Sequence, residues 1–78
     1  MSIDKFYYTG IAGNNFINDP TLANVTLLKV ARSGKIYSST SSYPPEDLKY
    51  KFVPGDAEIF FKDVFDTNPE IILVIYKH

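Results

Sequence analysis

The chain has 78 residues, no cysteine, one histidine at position 78, and eight basic against nine acidic residues for a net charge of −1. That length allows a single domain, expected over 1–78, whose core is marginal because so short a chain buries only about 60% of the surface it exposes when unfolded. Disulfides and thiol chemistry are excluded, zinc lacks its usual nitrogen and sulfur ligands, and no basic excess points to nucleic acid.

In chain order, "KFYYTG" (5–10) alternates Phe6 and Tyr8 against Lys5, Tyr7 and Thr9 and predicts a strand. "TGIAGNN" (9–15) reads as a loop, with glycines and asparagines supplying unusual backbone angles. Asp19-Pro20 suits a helix start, with Asp as cap and Pro in the first position, and predicts a short helical turn over Pro20–Ala23.

Residues 25–39, "VTLLKVARSGKIYSS", allow two readings. One is a helix running from Asp19 to a stop at Gly34, with Leu22, Val25 and Leu28 at near-helical spacing. The other is a hairpin with a three-residue loop Arg32-Ser33-Gly34, Gly34 left-handed, Ala31 opposite Lys35 and Val30 opposite Ile36. Leu28 and Val30 then share the core face. Val25, Thr26 and Val30 prefer strands, and a small β fold needs this one to close its core, so the hairpin is favoured. "SSTSSYPP" (38–45) has nothing to pack a core and reads as an exposed loop.

"DLKYKFVPGDAEIFFK" (47–62) reads as a second hairpin, with Pro54-Gly55 as a type II turn. Pairing Val53 with Asp56 sets Leu48 against Phe61, Tyr50 against Ile59 and Phe52 against Ala57 on one face. Asp47 then meets Lys62, and Lys51 meets Glu58, on the other. Phe60 falls on the charged face opposite Lys49, either covered by a second layer or a chain terminus or left as a contact residue. "EIILVIYK" (70–77) is a strand with Ile71, Leu73 and Ile75 on one side and Ile72, Val74 and Tyr76 on the other. Both sides are apolar, so both are expected to be covered.

The expected fold is therefore all-β: a small antiparallel β-sandwich or partly open barrel of about six or seven short strands. Its turns rest on Gly34, Pro54 and Gly55. The longest apolar run, "IILVIY", is six residues against the roughly 20 that span a bilayer, and no basic segment precedes an apolar run near the start. Neither a membrane partner nor a signal peptide is expected.

Little in the sequence carries chemistry. Gly34-Lys35 is no phosphate loop: position 29 is Lys instead of Gly, and position 36 is Ile instead of Ser or Thr. Asp66, Asn68 and Glu70 alternate like calcium ligands, but the required glycine is missing and Pro69 intervenes, so a polar turn is expected. "KYKF" (49–52) sends its lysines and its aromatics to opposite faces, as a half-buried strand does. Asn24-Val25-Thr26 is a glycosylation sequon without any sign of secretion. His78 lies too near the end to serve an internal Ser-His-Asp arrangement. No catalytic residue, cofactor or metal is expected, and the chain reads as a non-enzyme.

The order "FYYTG", a Gly/Asn loop, Phe16, "DPTL", "LLKVARSGKIY", "AEIFF" and a closing "EIILVIY" resembles small β-sandwich virion proteins of tailed bacteriophages and prophages, in particular those infecting Bacteroidota. Shared features are the aromatic opening, an Arg-x-Gly turn, an Ile–Phe strand and an acidic residue leading the last apolar strand. The Ser/Pro stretch 38–45 departs from the usual compact spacing. The resemblance implies a head-decoration, auxiliary capsid or fibre-anchoring subunit, made in the host cytoplasm and carried in the virion. Its partners would be other virion proteins or further copies of itself, and no catalytic residue carries over. The alternative is a stand-alone module binding protein or glycan through Tyr43 and Phe60. An uncharged, strongly β-prone "IILVIY" at a bare edge would recruit other chains, so this strand must be central in its own sheet or paired with a neighbouring subunit; so small a core favours the second, with Ile72, Val74, Tyr76 or Phe60 at an inter-chain contact.

Overall fold

The computed structural model describes residues 2–78 and contains strands and single 3₁₀ turns. In order these are β1 (Ile3–Thr9), β2 (Phe16–Asn18), a turn at Pro20–Leu22, β3 (Thr26–Arg32), β4 (Lys35–Ser39), β5 (Lys49–Val53), a turn at Pro54–Asp56, β6 (Glu58–Phe61) and β7 (Ile71–Lys77). The seven strands form one sheet in the order β1-β7-β3-β4-β5-β6-β2. It curls into a nearly closed barrel, so the all-β expectation holds in its barrel form. The sheet is mixed, since β4 and β5 run parallel while every other pair is antiparallel.

The core fills from alternate positions of these strands. Ile17, Leu22, Val30, Ile59, Phe61, Ile72 and Val74 are fully enclosed, joined by Val25, Tyr50, Ala57, Phe65 and Tyr76. Among the described residues no buried side-chain polar atom lacks a partner. Asp19 caps the first turn as expected, its carboxylate accepting from the Thr21 N–H at 2.9 Å, and the turn drops Leu22 into the core.

The first hairpin closes more tightly than the sequence predicts. Arg32 faces Lys35, so the loop is the two residues Ser33-Gly34, with φ of 50° and 79°. Two successive positive φ angles make a type I′ turn, whose twist matches that of the strands. Gly34 is left-handed as expected. The one-residue change in register sets Val30 against Tyr37 and moves Ile36 from the core face to the outside. A bulge between Leu27 and Lys29 turns Leu28 outward as well, against its expected inward position.

The second hairpin also departs from the expected register. Gly55 has no positive φ, so Pro54-Gly55 is not a type II turn: Pro54–Asp56 forms a 3₁₀ turn and Ala57 takes the left-handed position at φ 54°. Lengthening the loop shifts the partners by two, to Tyr50–Phe61, Lys51–Phe60, Phe52–Ile59 and Val53–Glu58. A shift of two preserves the faces, so Tyr50, Ile59 and Phe61 still point inward. Leu48 does not meet Phe61. It sits in the preceding turn at φ 58°, half exposed. The Asp47–Lys62 pair does form, at 3.1 Å on the surface, whereas Lys51 donates to the Ser41 carbonyl in place of Glu58. The stretch 38–45 is only partly loop: Ser38 and Ser39 belong to β4, and Pro45 is buried.

β7 lies inside the sheet, between β1 and β3. Ile72, Val74 and Tyr76 line the core, while on the other side Ile71 is exposed and Leu73 and Ile75 are only part-buried. The expectation that both sides of β7 are covered is therefore met on one side only. One curled layer of 78 residues encloses a single interior and has no second layer to lay over the outside.

Candidate functional site

Three arrangements of side chains stand out, and one of them ties the end of β3 to the loop ahead of β7. Alternation from Val30 turns Arg32 inward at the end of β3, where it is almost completely buried. A buried guanidinium must be paired and hydrogen-bonded. Glu70, the residue leading β7, meets it with both oxygens, at 3.1 Å from Nε and 3.3 Å from Nη2. The remaining contacts go to the backbone carbonyls of Asp63 at 2.8 Å and Val64 at 2.9 Å. The guanidinium also lies over the rings of Phe65 and Phe61, 4.6 Å and 5.2 Å from their centres.

Glu70 in turn accepts from the Ser33 hydroxyl at 2.9 Å and the Asp66 N–H at 2.6 Å. Arg32, with these donors, holds its carboxyl far below the usual range, at about 2. The cluster thus ties the first hairpin to the loop ahead of β7. Segment 10–15 packs on the same loop: Gly13 N–H donates to the Phe65 carbonyl at 3.1 Å, and Phe65 N–H donates to Asn14 at 2.7 Å. Gly10 permits this, because a Cβ there would fall 2.5 Å from the Phe65 ring. Arg32 and Glu70 are thus bonded to each other and to the surrounding backbone, and the cluster acts as a structural clamp. The turn expected at Asp66–Glu70 is present, and Glu70 serves Arg32.

The second arrangement is aromatic. Phe60 is half-buried, with the Tyr43 ring edge-on at 5.3 Å and the Phe16 ring tilted at 6.2 Å. Tyr43 itself is largely exposed. Phe60 is therefore covered in part by its own chain.

The third is the outer face of β1, β7, β3 and β4. Register places Tyr7 beside Leu73, Leu73 beside Ala31, and Ala31 beside Ile36, an apolar row crossing four strands. Tyr7 is 64% and Ile36 66% exposed. The neighbouring row is Lys5, Ile75 and Lys29, and the next is Ile3, Lys77 and Thr26. Ile71, 51% exposed, extends the patch at the other end. The outward strand positions on this face carry three lysines and no carboxylate.

The predicted contact residues divide accordingly. Ile72 and Val74 are 0% exposed and Tyr76 is 5% exposed, so they belong to the core and offer no surface. The reason is the period of two: the alternate residues Ile71, Leu73 and Ile75 hold the outside. Tyr43 and Phe60 do come together at the surface. The sequence reading missed the Arg32–Glu70 clamp, although period two from Val30 already turns Arg32 inward, where it needs an acid.

Among the described residues there is no ligand-sized pocket, no group of three metal-ligating side chains, and no helix long and apolar enough to cross a membrane. No family model matches the chain, and neither does any curated protein or solved structure.

Proposed function

We propose that this protein is a non-enzymatic assembly subunit of a phage particle, a head-decoration, auxiliary capsid or fibre-anchoring protein acting through protein–protein contacts. The observation that supports contact as its mode of action is the outer row Tyr7–Leu73–Ala31–Ile36, an apolar surface that the chain itself leaves open. Burying it on a neighbour would add apolar contact that so small a core lacks. Lys5, Lys29 and Lys77 border the apolar residues with no acid among them. The fitting partner is thus a protein face with apolar residues at its centre and carboxylates at its rim. The assignment to a phage particle rests on the sequence resemblance.

The test is the protein content of particles purified from the host that carries the gene. The proposal expects this chain at a fixed ratio to the major capsid or tail protein, retained through density-gradient banding. Particles that band with full structural complement and lack the chain would overturn it. The Tyr43–Phe60–Phe16 cluster favours a second reading, a module binding protein or glycan through exposed rings. Saturable glycan binding lost on Tyr43→Ala would promote that reading.

A further inference from the structure

The register of β1 on β7 shows which backbone groups of β1 are committed. Gly10 N–H donates to the Glu70 carbonyl at 2.9 Å, and His78 N–H donates to the Ser2 carbonyl at 3.4 Å. These bonds lie at the two ends of the ladder, so Asp4, Phe6 and Tyr8 make its hydrogen-bonded pairs. The N–H and C=O groups of Ile3, Lys5, Tyr7 and Thr9 then point the other way, to a side where no strand pairs with β1. Phe6 and Tyr8, on the core face, are stacked with ring centres 6.2 Å apart, yet only half-buried. In β7, one strand inward, Ile72 and Val74 are wholly enclosed. The barrel is therefore open along β1, in both its backbone and its core.

We infer that this seam is closed by a second copy of the chain, β1 against β1, antiparallel about a two-fold axis at Phe6. Outward-pointing residues must pair with one another, which leaves few registers. Lys5 opposite Lys5 of the second copy sets two like charges together. Tyr7 opposite Tyr7 leaves Ile3 outside the ladder. Lys5 opposite Tyr7 pairs all four outward residues, since Ile3 then meets Thr9, and it lays each ammonium against an aromatic ring. On the core side the same register brings Phe6 to Phe6 and Asp4 to Tyr8, covering what remains accessible of the part-buried rings. Lys5, which alone would blunt the edge, becomes the residue that selects the register. This pairing is made through the backbone edge of β1; it shares Lys5 and Tyr7 with the outer face but leaves Leu73, Ala31 and Ile36 untouched, so it can fail separately from the docking reading above, and it would make that face continuous across two copies.

The chain has no cysteine of its own, which makes cross-linking a clean test. Facing residues of a hydrogen-bonded antiparallel pair have Cα atoms about 5.5 Å apart, within disulfide reach. An equimolar mixture of Lys5→Cys and Tyr7→Cys, oxidised under mild conditions, is expected to cross-link at least several-fold more than either variant alone. Sedimentation equilibrium is expected to show the wild-type mass doubling as concentration rises. Lys5→Pro removes an outward N–H and no β1–β7 bond, so it is expected to stay monomeric with nearly unchanged melting. Lys5→Thr keeps the N–H and is expected to dimerise.

A wild-type monomer at the highest concentrations, with the mixture cross-linking no better than its components, would overturn the inference. Preferential cross-linking of Lys5→Cys alone, or of Tyr7→Cys alone, would overturn it too, by showing a different register. A monomeric Lys5→Pro that still enters particles would leave the docking reading standing, so the two can fail separately.

Discussion

Arg32 and Glu70 show how a single inward-turning side chain organises its surroundings. A guanidinium carried into the core by strand alternation must take its acid partner and several carbonyls with it, and the loop 62–70 is shaped by that demand. The acid has a pH consequence. In the unfolded chain Glu70 titrates near its ordinary value of 4.5, whereas in the fold it is held at about 2. Because the folded value is the lower one, Glu70 adds stability above the unfolded value, and that contribution is lost as pH falls from 4.5 toward 2. The carboxylate keeps some contact with water, so about 1–2 kcal/mol is expected to disappear across this window. Urea unfolding at a series of pH values checks it. Glu70→Gln should be less stable than wild type at pH 7 and nearly equal to it at the acid end. Parallel curves for the two proteins at all pH values would show that the pair contributes no linkage.

The hairpins carry the lesson about what a sequence states. Strand positions and faces were legible because apolar alternation is a long-range pattern: β1, β5, β6 and β7 all lie where it places them. Turn geometry was not, because it depends on which residues accept positive φ, and here Ser33, Leu48 and Ala57 do so without being glycine. Ser33-Gly34 shortened one loop and turned Ile36 outward. Ala57 lengthened the other and moved Leu48 out of its strand. The outer apolar face was illegible for a related reason. Both sides of β7 are equally apolar, so the side that met the core depended on the register of neighbours far away in sequence. Leu48 offers the test at this scale. A leucine at φ 58° is strained, and half its surface is apolar and exposed. Leu48→Asn is expected to raise stability by about 0.5–1 kcal/mol, since Asn tolerates the left-handed region. Chemical denaturation measures this, and a loss of stability would mean that Leu48 packs usefully where it stands.

For the whole molecule, the central point is that one curled sheet has one interior. Its inner rows, Phe6–Val74–Val30–Tyr37 and their neighbours, fill that interior, and its outer apolar row has nothing of its own to meet. Adjacent residues of β7 thus have opposite assignments: Val74 holds the fold, and Leu73 lies on the outer side, where the proposed function places a partner. The most direct test is incorporation into particles of a double variant, Leu73→Lys with Ile36→Lys, in competition with the wild-type chain. The substitutions touch only the outer face, so the variant is expected to melt within a few degrees of wild type, as surface changes usually do. It is expected to be depleted from banded particles at least tenfold relative to wild type. A variant that folds normally and enters particles as efficiently as the wild-type chain would contradict the account.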